Sequence, residues 1–271
     1  MRVELANVTL EVEDHGEGVP VVLLHGFPLS SGIWDPIRPA LEQVARLITP
    51  DLRGFGGSDA SEGDYDVDTM ADDVLHLADV LGLDRFVLGG HSMGGYVALR
   101  IAACHPARLL GLVLVDTRAE ADSFEAKARR NASIDWIRRR GSAEFLADFI
   151  PNLLGPETRR RARRFVDELL LLAAEVPDHV LIGCLAGMRD RPDSTSLLPG
   201  IDVPSLVITG RDDAVTPPSV AEEMARRLPR ATLALVPEAG HTPMIERPVI
   251  TADVISAFLR KHFVATSPAK S

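Results

Sequence analysis

Cysteine is scarce in this chain: only Cys104 and Cys184 occur in 271 residues, far apart. That excludes a disulfide framework and a cysteine-based metal site, and both are read as small core side chains. Basic charge is also short, with 29 Lys and Arg against 39 Asp and Glu and a formal net charge of −10. A surface of that sign disfavours nucleic acid and anionic membranes as partners. No apolar run approaches the roughly 18 residues of a membrane span. The start, Met1-Arg2-Val3-Glu4-Leu5, has no basic region followed by an apolar core, so no secretory signal is read and a cytoplasmic location is expected. No segment repeats at a fixed period. The one low-complexity stretch is residues 265–271, small, polar and broken by Pro268, and it is expected to be disordered.

What is present has a clear rhythm. Hydrophobic residues make up 46% of the chain, enough for a sizeable core. Short alternating runs at 3–5 and 8–12 read as an antiparallel opening hairpin, and Val19-Pro20-Val21-Val22-Leu23-Leu24 as a strand buried on both faces. A helix is then expected over 36–45, a strand at 46–49, a helix at 69–81 and a strand at 85–88. A helix over 93–104 and a strand at 109–115 follow. Such alternation predicts a parallel sheet with crossover helices, an α/β fold. From 117 to 199 the strands stop and the sequence turns helical and charged. The strand at 205–209, a last strand at 231–236 and a helix at 249–263 complete the core. The division expected is therefore a core of 1–116 and 200–264 with an insertion at 117–199.

Between Arg118 and Thr195 there are 14 Lys and Arg and 13 Asp and Glu, against 15 and 26 elsewhere, so the acidity belongs to the core. The runs Arg138-Arg139-Arg140 and Arg159-Arg160-Arg161 are read as solvated, salt-bridged helix faces. Trp136, Phe145, Phe149, Leu153, Leu185 and Met188 must bury against something, and part of that group is expected to roof an apolar pocket.

The most informative stretch is Gly90-His91-Ser92-Met93-Gly94, which follows the strand at 85–88 and opens the next helix. A serine in a tight strand-to-helix turn is held in strained backbone geometry that lifts its hydroxyl clear. A serine hydroxyl is a weak nucleophile and needs a base, usually a histidine steadied by a carboxylate. His241, in Pro237-Glu238-Ala239-Gly240-His241-Thr242-Pro243, lies between the last strand and the last helix, where a loop can return it to the sheet's carboxyl edge. His25 and His91 sit in the motif loops and are placed with the pocket, while His15, His76, His105, His179 and His262 read as surface or packing residues. The acid should follow a strand and precede His241. Gly210-Arg211-Asp212-Asp213-Ala214-Val215-Thr216-Pro217 supplies Asp213, the first choice, and Asp212, which can cap the turn; Asp116, ending the strand before the insertion, is a third option. Phe27 N–H, in His25-Gly26-Phe27-Pro28, and Met93 N–H are the candidate oxyanion donors. Arg53, in Asp51 to Ser58, reads as structural.

Those motifs, in that order, resemble the α/β-hydrolase superfamily from the first strand to the last helix. Asp116-Thr117-Arg118-Ala119, Ser123, Glu125-Ala126-Lys127, Met188 and Arg191 to Pro199 are similar to small-capped bacterial carboxylesterases, close to the 3-oxoadipate enol-lactonase branch. The resemblance implies a mostly parallel sheet of about eight strands flanked by helices, a helical cap, no cofactor and no metal. It also implies hydrolysis of short- to medium-chain carboxylic esters through an acyl-serine. A small-molecule ester is then the expected partner, with no nucleic acid and no membrane, and the chain a monomer or small homo-oligomer. Serine at 92 sets the chain apart from haloalkane dehalogenases and epoxide hydrolases, whose nucleophile is aspartate. Carbon–carbon hydrolases resemble the chain at Gly210-Arg211-Asp212-Asp213 but usually have an aromatic after the histidine, where this chain has Thr242, so they are the weaker alternative. A lactonase or perhydrolase would use the same machinery; an acyltransferase or a non-enzymatic ligand receptor are the rival readings.

Overall fold

The computed structural model describes residues 1–61 and 65–264, so the expected disordered tail at 265–271 lies outside the described residues. Two short strands, β1 (Arg2–Glu4) and β2 (Thr9–His15), pair antiparallel. The core then winds through β3 (Pro20–Leu24), α1 (Arg38–Leu41), β4 (Arg46–Pro50), α2 (Val67–Val80), β5 (Phe86–His91), α3 (Met93–Cys104) and β6 (Leu109–Val115). Five helices follow: α4 (Phe124–Arg140), α5 (Ser142–Phe149), α6 (Pro156–Arg161), α7 (Arg163–Ala173) and α8 (Asp178–Asp190). The sheet resumes with β7 (Ser205–Gly210), α9 (Pro218–Arg227), β8 (Ala231–Val236), α10 (Pro243–Glu246) and α11 (Pro248–His262). The eight strands form one sheet in the order β1-β2-β4-β3-β5-β6-β7-β8, parallel from β4 to β8.

Composition explains the layers. In β5 every residue is buried, and Leu23, Leu88 and Leu114 on the three central strands are fully inaccessible. Each such side chain contributes about 1.5–3 kcal/mol relative to exposure. Helix α2 begins two residues earlier than the apolar spacing suggested, because the Asp66 carboxylate caps it by accepting Thr69 N–H at 2.7 Å. The helix expected over 36–45 shrinks to α1, behind a 3₁₀ turn at Ser31–Trp34. Pro39 supplies no N–H for the Asp35 carbonyl, so a full helix over that span would lack a bond in its first turn. Cys184 is buried as expected; Cys104 is exposed at the end of α3, against expectation.

The chain leaves β3 toward β4 on one side and returns to β5 on the other, so the loops after β3 and β5 diverge. A crevice at the carboxyl ends of the strands opens at such a reversal. Helices α4 to α8 meet that edge. Leu153 O accepts the His241 N–H at 2.7 Å, and Gly155 N donates to Glu246 Oε2 at 2.9 Å. Within this segment α4 packs on α8, and the buried residues of the two helices include Ile134 and Ile137 on α4 and Leu181 and Leu185 on α8. The arginine runs do form exposed ion pairs: Arg140 with Glu144 at 2.7 Å, Arg138 and Arg139 with Asp135 at 3.9 Å, and Arg160 and Arg161 with Glu157.

Candidate active site

Ser92 stands between β5 and α3 with φ 49° and ψ −111°, one of three non-glycine residues with positive φ among the described residues. The surroundings hold that conformation. Ser92 N donates to Val115 O at 3.0 Å, and Ser92 O accepts from Thr117 Oγ1 at 2.7 Å and Gly95 N at 3.0 Å. A Cβ at Gly90 would lie 2.1 Å from Gly94 O, and one at Gly94 would lie 2.6 Å from Leu24 O, so neither position admits a side chain. The serine itself is half-buried in an otherwise buried turn. Neither Phe27 N–H, in the loop after β3, nor Met93 N–H, first in α3, finds a hydrogen-bond partner among the described residues. Phe27 and Ser92 line the same cavity and Met93 N–H directly follows the serine, so two unpaired amides belong to the segments an oxyanion would face.

His241 and Asp213 come together from the loops after β8 and β7. Asp213 Oδ2 accepts His241 Nδ1–H at 2.8 Å, which leaves Nε2 bare to act as a base. Asp213 is anchored in turn: Oδ1 accepts Val215 N at 2.7 Å and Thr216 N at 3.0 Å, and Oδ2 accepts Thr216 Oγ1 at 2.5 Å. Burial alone would raise the Asp213 pKa, but the facing His241 charge and these hydrogen bonds outweigh it and hold the carboxyl below its ordinary range. Asp212 takes no part in this contact; its backbone N–H donates to Ala239 O at 2.8 Å. Asp116 also lies close, with one oxygen within 4.8 Å of donor atoms of Asp213 and His241. Two carboxyls and an imidazole could in principle hold a cation. Here the Asp213 oxygens already accept Val215 N–H, Thr216 N–H, Thr216 Oγ1–H and His241 Nδ1–H, so the carboxylate charge is met by hydrogen bonds.

Ser92 and His241 line one cavity of about 420 Å³, with Phe27, Phe149, Leu153, Leu185 and Met188 among its walls. Four of the eight expected pocket residues are therefore there, and four are not. His25 is fully buried: its Nδ1–H donates to Gly26 O at 3.1 Å and its Nε2 accepts Leu52 N–H at 2.9 Å, so it ties two loops together. His91 is fully buried behind His241, donating Nε2–H to His241 O at 2.7 Å. Burial, then the neighbouring His241, push its pKa down to about 3, so it stays neutral. Phe145 lies behind Phe149, stacked at 5.3 Å, and fills core. Trp136 packs edge-on to Phe145 and borders a separate hollow with Asp135 and Arg139. On α4 a single turn decides which side chains face the cavity, and the charged sequence of that helix does not reveal its inner face.

Sequence reasoning also missed residues. Tyr96, Arg118, Asp122, Arg129, Arg130 and Thr216 line the cavity. Asp122 binds Arg130 at 2.5 Å and Arg191 at 2.6 Å, while Arg118 donates to Val215 O at 2.7 Å. Neither Arg118 nor Arg129 has a carboxylate in ion-pair distance among the described residues. Glu246 was missed as well. It is buried and accepts from Gly240 N at 2.8 Å, Thr242 Oγ1 at 3.2 Å and Gly155 N at 2.9 Å, joining the His241 loop to the segment before α6. Arg53 is structural as expected, a buried bidentate partner of Asp73 at 2.5 and 2.7 Å.

A family model described as "Alpha/beta hydrolase family" matches residues 21–254. The chain belongs to the alpha/beta hydrolase family. A thermophilic esterase from Thermogutta terrifontis, solved with malate bound, is 40% identical with a TM-score of 0.93, over 97% of this chain and 99% of that one. The enol-lactonase from Burkholderia xenovorans is 25% identical with a TM-score of 0.89, over 96% and 99%. The AB hydrolase superfamily protein YisY of Bacillus subtilis is 31% identical over 93% of this chain and 96% of its own length. No single helix among the described residues is long and apolar enough to cross a membrane.

Proposed function

We propose that this hydrolase is a serine carboxylesterase of short- to medium-chain esters. The observation that carries the reading is the strained Ser92 on the wall of the cavity that His241 also lines, with His241 Nδ1–H bound to Asp213 at 2.8 Å. Ser92 Oγ attacks the ester carbonyl while His241 Nε2 takes its proton. The Phe27 and Met93 amides hold the oxyanion, and His241 returns the proton to the departing alkoxide, releasing the alcohol. Water, deprotonated by His241, then attacks the acyl-serine and frees the carboxylic acid and Ser92. Asp213 keeps the imidazole in the productive tautomer and balances its charge. Helices α4 to α8 serve as a cap over the pocket in this reading, and the enzyme works in the cytoplasm without a metal or cofactor.

Arg118 and Arg129 favour a second reading of the substrate: an ester or lactone that carries a carboxylate, as a counter-charge for Arg118 and for Arg129, whose acidic neighbour Glu125 acts on it only at longer range than an ion pair. Initial rates with 4-nitrophenyl esters from acetate to decanoate, beside an enol-lactone and the mono-4-nitrophenyl ester of glutaric acid, test both readings. Turnover peaking at short to medium chains is expected. The glutarate half-ester should exceed the pentanoate ester in kcat/KM by about threefold to tenfold, a margin that shrinks in high salt. Lactone opening without ester turnover would move the enzyme to lactonase, and no turnover of any substrate would overturn the proposal.

A further inference from the structure

Asp116 has no role in the mechanism above, yet its placement is unusual. It follows β6 with φ 44°, a left-handed conformation that L residues adopt at a cost, although Asp tolerates it better than most. Its side chain is 1% exposed. Oδ1 accepts Gly210 N–H at 2.8 Å and Thr209 Oγ1 at 3.1 Å, both from the end of β7 that leads into the Asp213 loop. Oδ2 is buried and receives no donor from the described residues. The titratable groups facing the carboxyl are Asp213 and His241, with all three within 4.8 Å. Behind His241 stands the neutral His91 ring, 5.0 Å between centroids.

Two carboxyls this close in a buried site cannot both stay ionised without a cation shared between them. Asp213 accepts four donors, including the imidazole, so the charge belongs there. A carboxyl oxygen with no protein donor, set beside an ionised carboxylate, is satisfied when it holds a proton and donates it. We infer that Asp116 is a neutral carboxylic acid at working pH, a positioning residue whose Oδ2–H hydrogen-bonds Asp213 and draws charge from it. Burial first, and the Asp213 charge second, push the Asp116 carboxyl well above its ordinary range, in agreement with that state. The consequence is for the base. With part of its charge drawn toward Asp116, Asp213 stabilises the His241 imidazolium less than it would with its full charge.

The test has an arm that does not depend on catalysis and an arm that rests on His241 acting as the base. Infrared spectra of the wild type at pH 7 should show a protonated-carboxyl C=O stretch that shifts in heavy water and disappears in Asp116→Asn. In the kinetic arm, the acid limb of the kcat/KM profile should stay in place in Asp116→Asn, where an amide N–H replaces the O–H donor. In Asp116→Ala, which removes the donor, it should rise by about half a unit. Absence of the infrared band overturns the inference. So does an acid limb that falls by about one unit in Asp116→Asn, because that marks loss of a negative charge near His241. Should the esterase reading fail, the infrared result still decides the protonation state, so the two failures are distinct.

Discussion

Ser92→Ala is expected to abolish turnover of 4-nitrophenyl butyrate, with a loss of about a million-fold in kcat, as when the nucleophile is removed from a triad that works as a unit. The alanine cannot form the acyl intermediate, and the remaining donors and pocket supply only a small residual acceleration over water. The fold should survive, because what fixes residue 92 is backbone. Its N–H on Val115 O, its carbonyl under Thr117 Oγ1 and the glycines at 90 and 94 are untouched by removal of a half-buried hydroxyl. A Tm within a few degrees of the wild type, alongside lost activity, is the expected pair of results. Full activity in this variant would remove serine from the chemistry altogether.

Asp213→Asn is expected to lower kcat by about ten-thousand-fold with little change in KM. The reason lies in the donors around that carboxylate. Oδ1 accepts Val215 N–H and Thr216 N–H, and Oδ2 accepts Thr216 Oγ1 and His241 Nδ1–H, so either orientation of an amide turns its NH₂ toward donors. Two backbone N–H groups cannot rotate, so the amide oxygen goes to them and its NH₂ faces His241. The imidazole then accepts at Nδ1 and carries its proton on Nε2, the wrong tautomer for a base. A stability cost follows as well, and its sign is set by the depressed pKa of Asp213. A carboxyl whose folded pKa lies below its unfolded value stabilises the fold above the unfolded pKa, and this is lost as pH falls through the folded one. The wild type should therefore lose stability with acid over that range, and the Asn variant should lose less. Denaturant midpoints between pH 3 and pH 7 measure the difference.

Much of this site was legible in the chain because its parts are local. The apolar run before Gly90-His91-Ser92-Met93-Gly94 and the helix after it fix an elbow whatever the rest of the molecule does. Asp213 and His241 follow strands whose order determines that they meet. The sheet was legible for the same reason: β5 and β6 are buried on both faces, and a strand so placed must be apolar throughout. The cavity wall was not. His91 precedes the nucleophile in sequence, but alternation along a strand turns it away from the pocket and beneath the His241 carbonyl. Asp122 and Arg191, 2.6 Å apart, lie 69 residues apart in sequence, and only folding brings their segments together, where Arg191 also donates to Glu120 O and Ala121 N–H to Asp193. Glu246 reads as a residue of a surface helix until Gly155, far away in sequence, is seen to donate to it. Side chains whose function depends on contacts between distant segments leave no local pattern.

The central claim is that Ser92 carries the acyl group. Mass spectrometry of the enzyme quenched during turnover of a slowly deacylating 4-nitrophenyl ester tests it most directly. The account predicts a mass increase of one acyl group, located by proteolysis to the peptide containing Ser92 and absent in Ser92→Ala. Steady turnover with the acyl group on another residue, or with the same turnover and adduct in Ser92→Ala, would contradict it.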